Sequence, residues 1–118
     1  NGACGYRIEY DGKAIAYITD TEHYPDRLDD RVLSLVQDAG VMIYDATYTD
    51  EEYEKFVGFG HSTWQEGIKL ADAANVETLV IFHHDPSHTD DMMDEIAADV
   101  EKARPGTIVA REGLTLNL

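Results

Sequence analysis

Apolar and polar residues along this chain fall into short alternating runs separated by stretches at helical spacing, the pattern of an α/β domain. Tyr6 to Tyr10 and Ala14 to Thr19 read as strands joined at Asp11-Gly12, a dipeptide suited to the positive φ angles of a two-residue hairpin turn. In the second strand Ala16, Ile18 and Asp20 share one face, so Asp20 arrives at the strand's C-terminal end. Leu28, Val32, Leu35 and Val36 recur at helical spacing after Pro25 and stop at Gly40, which predicts an amphipathic helix of about three turns. Val41 to Tyr44 then reads as a short buried strand ending at Asp45.

Two helix starts follow. Thr49 and Glu52 have capping-box spacing and predict a short acidic helix. The Gly-rich break Val57-Gly58-Phe59-Gly60 delivers His61 in front of a second capping box, Ser62-Thr63-Trp64-Gln65, whose helix buries Trp64, Ile68 and Ala71 and stops at Asn75. Thr78 to Phe82 is a continuous apolar strand. Thr89 with Asp90 and Asp91 opens a helix with Met93, Ile96, Ala97 and Val100 on its inner face, ended by Arg104-Pro105-Gly106. Thr107 to Ala110 and Leu114 to Leu116 add two short strands. With no linker, repeat or low-complexity segment, residues 1–118 read as one α/β domain.

Charge narrows the function classes. The 118 residues carry 24 acidic against 9 basic side chains, a formal charge of −15, which argues against non-specific nucleic-acid binding. A bound divalent cation reverses such a field locally, so a metal-held anionic substrate stays in play. The single Cys4 excludes an intramolecular disulfide, and no run has the length of a membrane span or the form of a signal peptide; a cytoplasmic protein is expected. Because the chain opens on Asn1 rather than Met, a fragment or a processed product is expected.

Candidate chemistry gathers where the apolar strand Leu79-Val80-Ile81-Phe82 stops at His83-His84-Asp85-Pro86-Ser87-His88. Loops at the C-terminal ends of strands are where α/β folds place ligands. His83 and His84 are neighbours on an extended backbone and point to opposite faces, so one faces the site and the other packs or hydrogen-bonds. Asp85 before Pro86 reads equally as a turn residue, and His88 as a solvated loop residue. Asp20 and Asp45 each end a strand, as a ligand or as a turn-forming residue, and Glu51, Glu52 and Glu54 read as a solvated helix face. Together Asp20, His61 and His83 offer a carboxylate and two imidazoles without thiolates, a set suited to catalytic Zn, Mn or Fe.

The ordered segments Gly5-Tyr6-Arg7-Ile8-Glu9, Tyr17-Ile18-Thr19-Asp20-Thr21-Glu22, Ile43-Tyr44-Asp45-Ala46-Thr47-Tyr48, Gly60-His61-Ser62-Thr63 and Phe82-His83-His84-Asp85-Pro86 resemble the C-terminal half of a metallo-β-lactamase-fold hydrolase, in the branch related to ribonuclease Z and other phosphodiesterases. The resemblance implies half of a four-layer αββα sandwich: one mixed sheet and its helices, with an inner sheet face open to the missing N-terminal half or to a second copy in a homodimer. It implies that Asp20 bridges two metal ions, that His83 binds one of them, and that His61 assists proton transfer or holds the scissile phosphate. The family's His-x-His-x-Asp-His motif and a further ligand histidine are not in this chain. The expectation is therefore part of a metal-dependent hydrolase that cleaves a phosphodiester or related ester through metal-activated hydroxide, the isolated chain being inactive. Two other readings are a receiver-like signalling module phosphorylated on Asp45 and a non-catalytic interaction half-domain; the acidic pair and strand-end lysine of receivers are missing.

Overall fold

Strand order and crossover hand together decide which face of this domain is covered. The computed structural model describes residues 2–118; Asn1, on which the expectation of a processed or partial product rests, lies outside them. The elements run β1 (Tyr6–Tyr10), β2 (Lys13–Ile18), α1 (Asp30–Val36), β3 (Val41–Asp45), α2 (Asp50–Tyr53), α3 (Trp64–Ala73), β4 (Thr78–Phe82), α4 (Asp90–Ala103) and β5 (Ile108–Val109). They form one five-stranded sheet in the order β1-β2-β3-β4-β5. The β1–β2 pair is antiparallel and every later pair parallel, which is the mixed α/β fold expected. Right-handed crossovers that always step in one direction along the sheet lay their helices on the same side.

The core follows that rule. Ala16, Ile18, Met42, Tyr44, Leu79 and Ile81 pack from one sheet face against Val36 of α1, Leu70 and Ala71 of α3 and Val100 of α4. On the other face the register aligns Tyr6 with Tyr17, Ile8 with Ile15, Tyr17 with Ile43 and Ile43 with Val80. No helix of the described residues covers that side: Tyr6, Ile8, Tyr10 and Phe82 are exposed, and Tyr10 keeps 83 % of its surface. None of the helices is long and apolar enough to cross a membrane.

Local chemistry places the elements, and three boundaries differ from the sequence reading. Asp11 and Gly12 both take positive φ, 48° and 74°, in the two-residue hairpin. The first helix is two turns rather than three, because the Asp29 carboxylate accepts the N–H of Arg31 and caps it there, leaving Leu28 outside to pack on the core. The third helix starts at Thr63, whose Oγ1 accepts from Glu66 N at 3.2 Å, since the hydroxyl of Ser62 is engaged elsewhere. Leu114 to Leu116 form no strand; a turn closed by Leu114 N on Arg111 O leaves them without a ladder partner. The inner face of α4 is also thinner than expected, with only Val100 buried.

The box at α2 is complete, and it holds a residue assigned to solvent. Glu52 Oε2 accepts from Thr49 N at 2.8 Å, while Oε1 lies 2.8 Å from His88 Nε2. The His88 side chain is 3 % exposed, so His88 is a tie between α2 and the β4–α4 loop rather than a solvated bystander. Burial alone would raise the Glu52 carboxyl; the Thr49 backbone N–H and His88 outweigh it and leave Glu52 below its ordinary value.

Two predictions follow from this packing. A Cβ at Gly67 would stand 2.8 Å from Cδ1 of the fully buried Tyr44 ring. Gly67→Ala therefore lowers stability in urea unfolding by about 1–2 kcal/mol, overpacking outweighing the better helix propensity of Ala. A depressed carboxyl contributes stability that is fully present above its unfolded pKa and lost as pH falls through the folded one. The wild type's advantage in thermal unfolding over Glu52→Gln is thus largest near neutral pH and narrows below about pH 4.

Candidate metal centre

Three neighbouring strands of the parallel part of the sheet deliver their C-terminal ends to one place. Two residues past Ile18, at the end of β2, stands Asp20; β3 ends on Asp45; β4 ends on Phe82, directly before His83. Asp20 and His83 both turn left-handed, with φ of 58° and 65°. Such a backbone costs a non-glycine residue on the order of 1–3 kcal/mol and recurs where a site dictates geometry. Here it breaks both strands and brings the Asp20 and His83 side chains together beside Asp45, with His83 Nε2 3.7 Å from Asp20 Oδ1.

Asp45 organises that space. Its side chain has no exposed surface. Oδ2 accepts the backbone N–H of Asp20 at 2.7 Å and lies 3.0 Å from His61 Nδ1, while Oδ1 accepts from Thr47 N at 3.3 Å, Thr47 Oγ1 at 2.9 Å and Ser62 N at 3.4 Å. The Thr47 hydroxyl, whose one proton is shared between Asp45 Oδ1 and the His83 carbonyl at 2.7 Å, also lies 3.2 Å from His83 Nδ1. A carboxylate acceptor fixes the His61 tautomer that carries its proton on Nδ1, leaving Nε2 as a lone pair; Thr47 can do the same for His83.

The remaining atoms suit a metal ion. One ligand atom from each of Asp20, His61 and His83 lies within 4.8 Å of the others, and the two imidazole rings are 4.9 Å apart. Nitrogen or oxygen ligands at about 2.0–2.2 Å around a tetrahedral ion sit roughly 3.4 Å from one another, close to the His83–Asp20 gap. The donor set, one carboxylate and two imidazoles held from behind by hydrogen bonds, fits a catalytic divalent ion. Beside it a groove of 680 Å³ runs from Asp20, Thr21 and Glu22 to Cys4 and Gly5.

The structure thus brings together Asp20, His61 and His83 and leaves the other candidates apart. His84 turns away and places Nε2 3.0 Å from Ala110 O. Asp85 is a turn residue, its Oδ1 accepting from Ser87 N at 2.7 Å, and that hydrogen bond holds its carboxyl below the usual range. His88 is tied to Glu52. A receiver-like role for Asp45 is overturned, because a buried carboxylate with both oxygens hydrogen-bonded presents no nucleophile to a phosphoryl donor. Sequence reasoning missed Asp45 as the organiser; the signal available was a strand-end acid followed two residues later by Thr47.

Asp45→Asn keeps the shape and replaces an acceptor with an N–H₂ group among five donors. In a longer protein that carries this chain and holds the metal, zinc affinity, read by competition with a chromogenic chelator, is expected to fall about 10–100-fold. Urea unfolding should show a loss of more than about 2 kcal/mol.

Known proteins share both this fold and these segments. Residues 1–84 match the model of a beta-lactamase superfamily domain. Over 89 residues the chain is 33 % identical to a ribonuclease Z of Gemmatimonas aurantiaca, covering 75 % of this chain and 28 % of that protein. Over 104 residues it is 32 % identical to a ribonuclease Z of Halobacterium salinarum, covering 88 % and 32 %. The chain therefore spans about a third of the length of the curated relatives it matches. Among solved structures, it superposes on the short form of human tRNase Z with a TM-score of 0.69 at 18 % identity, over 96 % of this chain and 37 % of that one. A metallo-β-lactamase fold protein from Bacillus subtilis gives 0.70 at 16 % identity, over 92 % and 41 %. With the strand-end carboxylate and histidines gathered as described, these likenesses place the chain in the beta-lactamase superfamily, with the metallo-β-lactamase fold and sequence similarity to part of ribonuclease Z.

Proposed function

We propose that this chain is the C-terminal portion of a metal-dependent hydrolase that cleaves a phosphodiester or a related ester. The observation that carries the reading is the convergence of Asp20, His61 and His83 within 4.8 Å at the C-terminal ends of parallel strands, backed by the buried Asp45. Zinc is the ion this donor set suits first, with Mn or Fe as alternatives, and two ions are held in the intact protein. An ion bound there supplies a Lewis acid for a phosphoryl oxygen and lowers the pKa of water.

The chain's own residues do the rest. Asp20 and His83 would hold the metal, His83 through Nε2. His61, its Nδ1–H kept on Asp45, takes and returns a proton through Nε2 or stabilises the developing negative charge on the phosphate. Two ligands beside a proton-transferring histidine are too few to hold a dinuclear centre, so the remaining ligands come from outside residues 1–118. The open sheet face bearing Tyr6, Ile8 and Tyr10 is where the upstream half of the protein, or a second copy of this chain, docks. The protein works in the cytoplasm on a small-molecule or phosphodiester substrate rather than as a non-specific nucleic-acid binder.

Two measurements test this. The longer protein that carries this chain should hydrolyse bis(p-nitrophenyl) phosphate when loaded with Zn or Mn, and His83→Ala should lower kcat/KM by about 100-fold or more. Residues 1–118 alone should be inactive and bind no stoichiometric metal. Robust turnover by the isolated chain, or a longer protein that binds no metal, would overturn the reading. Light scattering separates the two modes of covering the sheet, a dimer of the isolated chain pointing to the second copy.

A further inference from the structure

The segment after Asp20 reaches across the site and grips the loop that carries His61 on both sides. Upstream of His61, the Glu22 carboxylate accepts the backbone N–H of Gly58 and, at 3.3 Å, that of Gly60. Both glycines stand at positive φ, 93° and 89°, so this turn is set by backbone that few other residues adopt, and neither would meet anything within 4 Å if given a Cβ. Between the glycines, Phe59 packs edge-on against Phe56 with ring centres 5.7 Å apart and donates its N–H to Phe56 O, while the two hydrogen bonds to one Glu22 carboxylate oxygen tie the stretch to the Asp20 side.

Downstream of His61, the fully buried Ser62 hydroxyl lies 2.8 Å from His23 Nδ1 and 3.0 Å from Tyr44 OH. The Tyr44 phenol is buried and its pKa is pushed up, so it stays protonated and donates to Ser62 Oγ. The Ser62 hydroxyl and His23 Nδ1 share the second hydrogen bond, its direction set by the His23 tautomer. The His23 ring is itself packed on Tyr53, with ring centres 4.3 Å apart. The peptide N–H of Ser62 meanwhile reaches Asp45. Residues 58, 60 and 62 are therefore pinned from the Asp20 side, and 61 between them is the residue whose imidazole must meet Asp45 and face Asp20.

We propose that Glu22 and His23 are positioning residues for His61: they lock the Gly58–Ser62 turn to the Asp20 loop, so that the His61 imidazole is held against the metal-binding carboxylate before substrate arrives. The assignment rests on the proposed hydrolase reading. It predicts that neither residue touches substrate and that each acts only through His61. Residues that work as one unit show strongly non-additive losses, whereas independent structural damage adds.

The test uses the longer, metal-loaded protein and bis(p-nitrophenyl) phosphate, with Glu22→Ala, Glu22→Gln and His23→Ala, each alone and combined with His61→Ala. Misplacement of a reacting group costs on the order of 10–100-fold, so Glu22→Ala and His23→Ala should lower kcat by at least about tenfold with KM little changed. Glu22→Gln keeps an acceptor oxygen and should retain most of the activity. In the His61→Ala background Glu22→Ala and His23→Ala should cost nothing further, and amide exchange at Gly58 and Gly60 should quicken in Glu22→Ala. Losses that add in full to that of His61→Ala, a Gln variant as impaired as the Ala one, or unchanged exchange at both glycines would overturn the positioning role. A His61→Ala enzyme as active as wild type would instead overturn the hydrolase reading beneath it.

Discussion

The buried carboxylate of Asp45 is the interaction on which the site depends. It has no exposed surface and takes five donors from four positions on the chain, residues 20, 47, 61 and 62. Burying an ionised carboxylate is costly unless its lone pairs are filled, and here they are. The same bonds that satisfy the charge tie the ends of β2 and β3 to the loop before α3. Thr47 carries the tie one strand further to His83. Removing water from Asp45 and aiming two imidazoles are thus one structural event. A site built this way is rigid before any ion arrives, which suits ligands that must bind an ion without refolding around it.

What could be read from the sequence was whatever local pattern determines. The Asp11-Gly12 hairpin, the Thr49–Glu52 box and the β4 strand ending at His83 have their causes within a few residues of themselves, and they are present. The placement of Asp20, His61 and His83 at strand or loop ends was legible because chain position alone marks it. The organising role of Asp45 was not, since its donors come from as far as 25 residues away and nothing at position 45 distinguishes an acceptor of five bonds from a turn residue. His88 failed for the same reason: the Glu52 that buries it lies 36 residues upstream. Ser62 misled because its hydroxyl serves His23 and Tyr44, so the cap passed to its neighbour Thr63.

The one-sided sheet has the same logic at larger scale. Because the strands run in sequence order and right-handed crossovers are the rule, α1, α3 and α4 fall on the face of Ala16, Met42 and Leu79. No rearrangement of these helices could cover the opposite face without reversing a crossover. The aromatic and aliphatic side chains of β1 therefore stay exposed, without a helix over them.

The left-handed backbone at Asp20 and His83 has a consequence for how this centre can change over time. Among side chains that bind hard or borderline metal ions, Asp and His are also the ones a left-handed backbone accepts with least penalty, apart from the small amide Asn. Coordination and conformation therefore select the same residues at both positions. A Glu at position 20 would offer a carboxylate of the right charge and still be rejected twice, for its reach and for its backbone. Were an ion held here, the main chain would guard these two residues as much as the ion does, and they would drift more slowly than ligands carried on helices, where any good helix former can pass through as an intermediate.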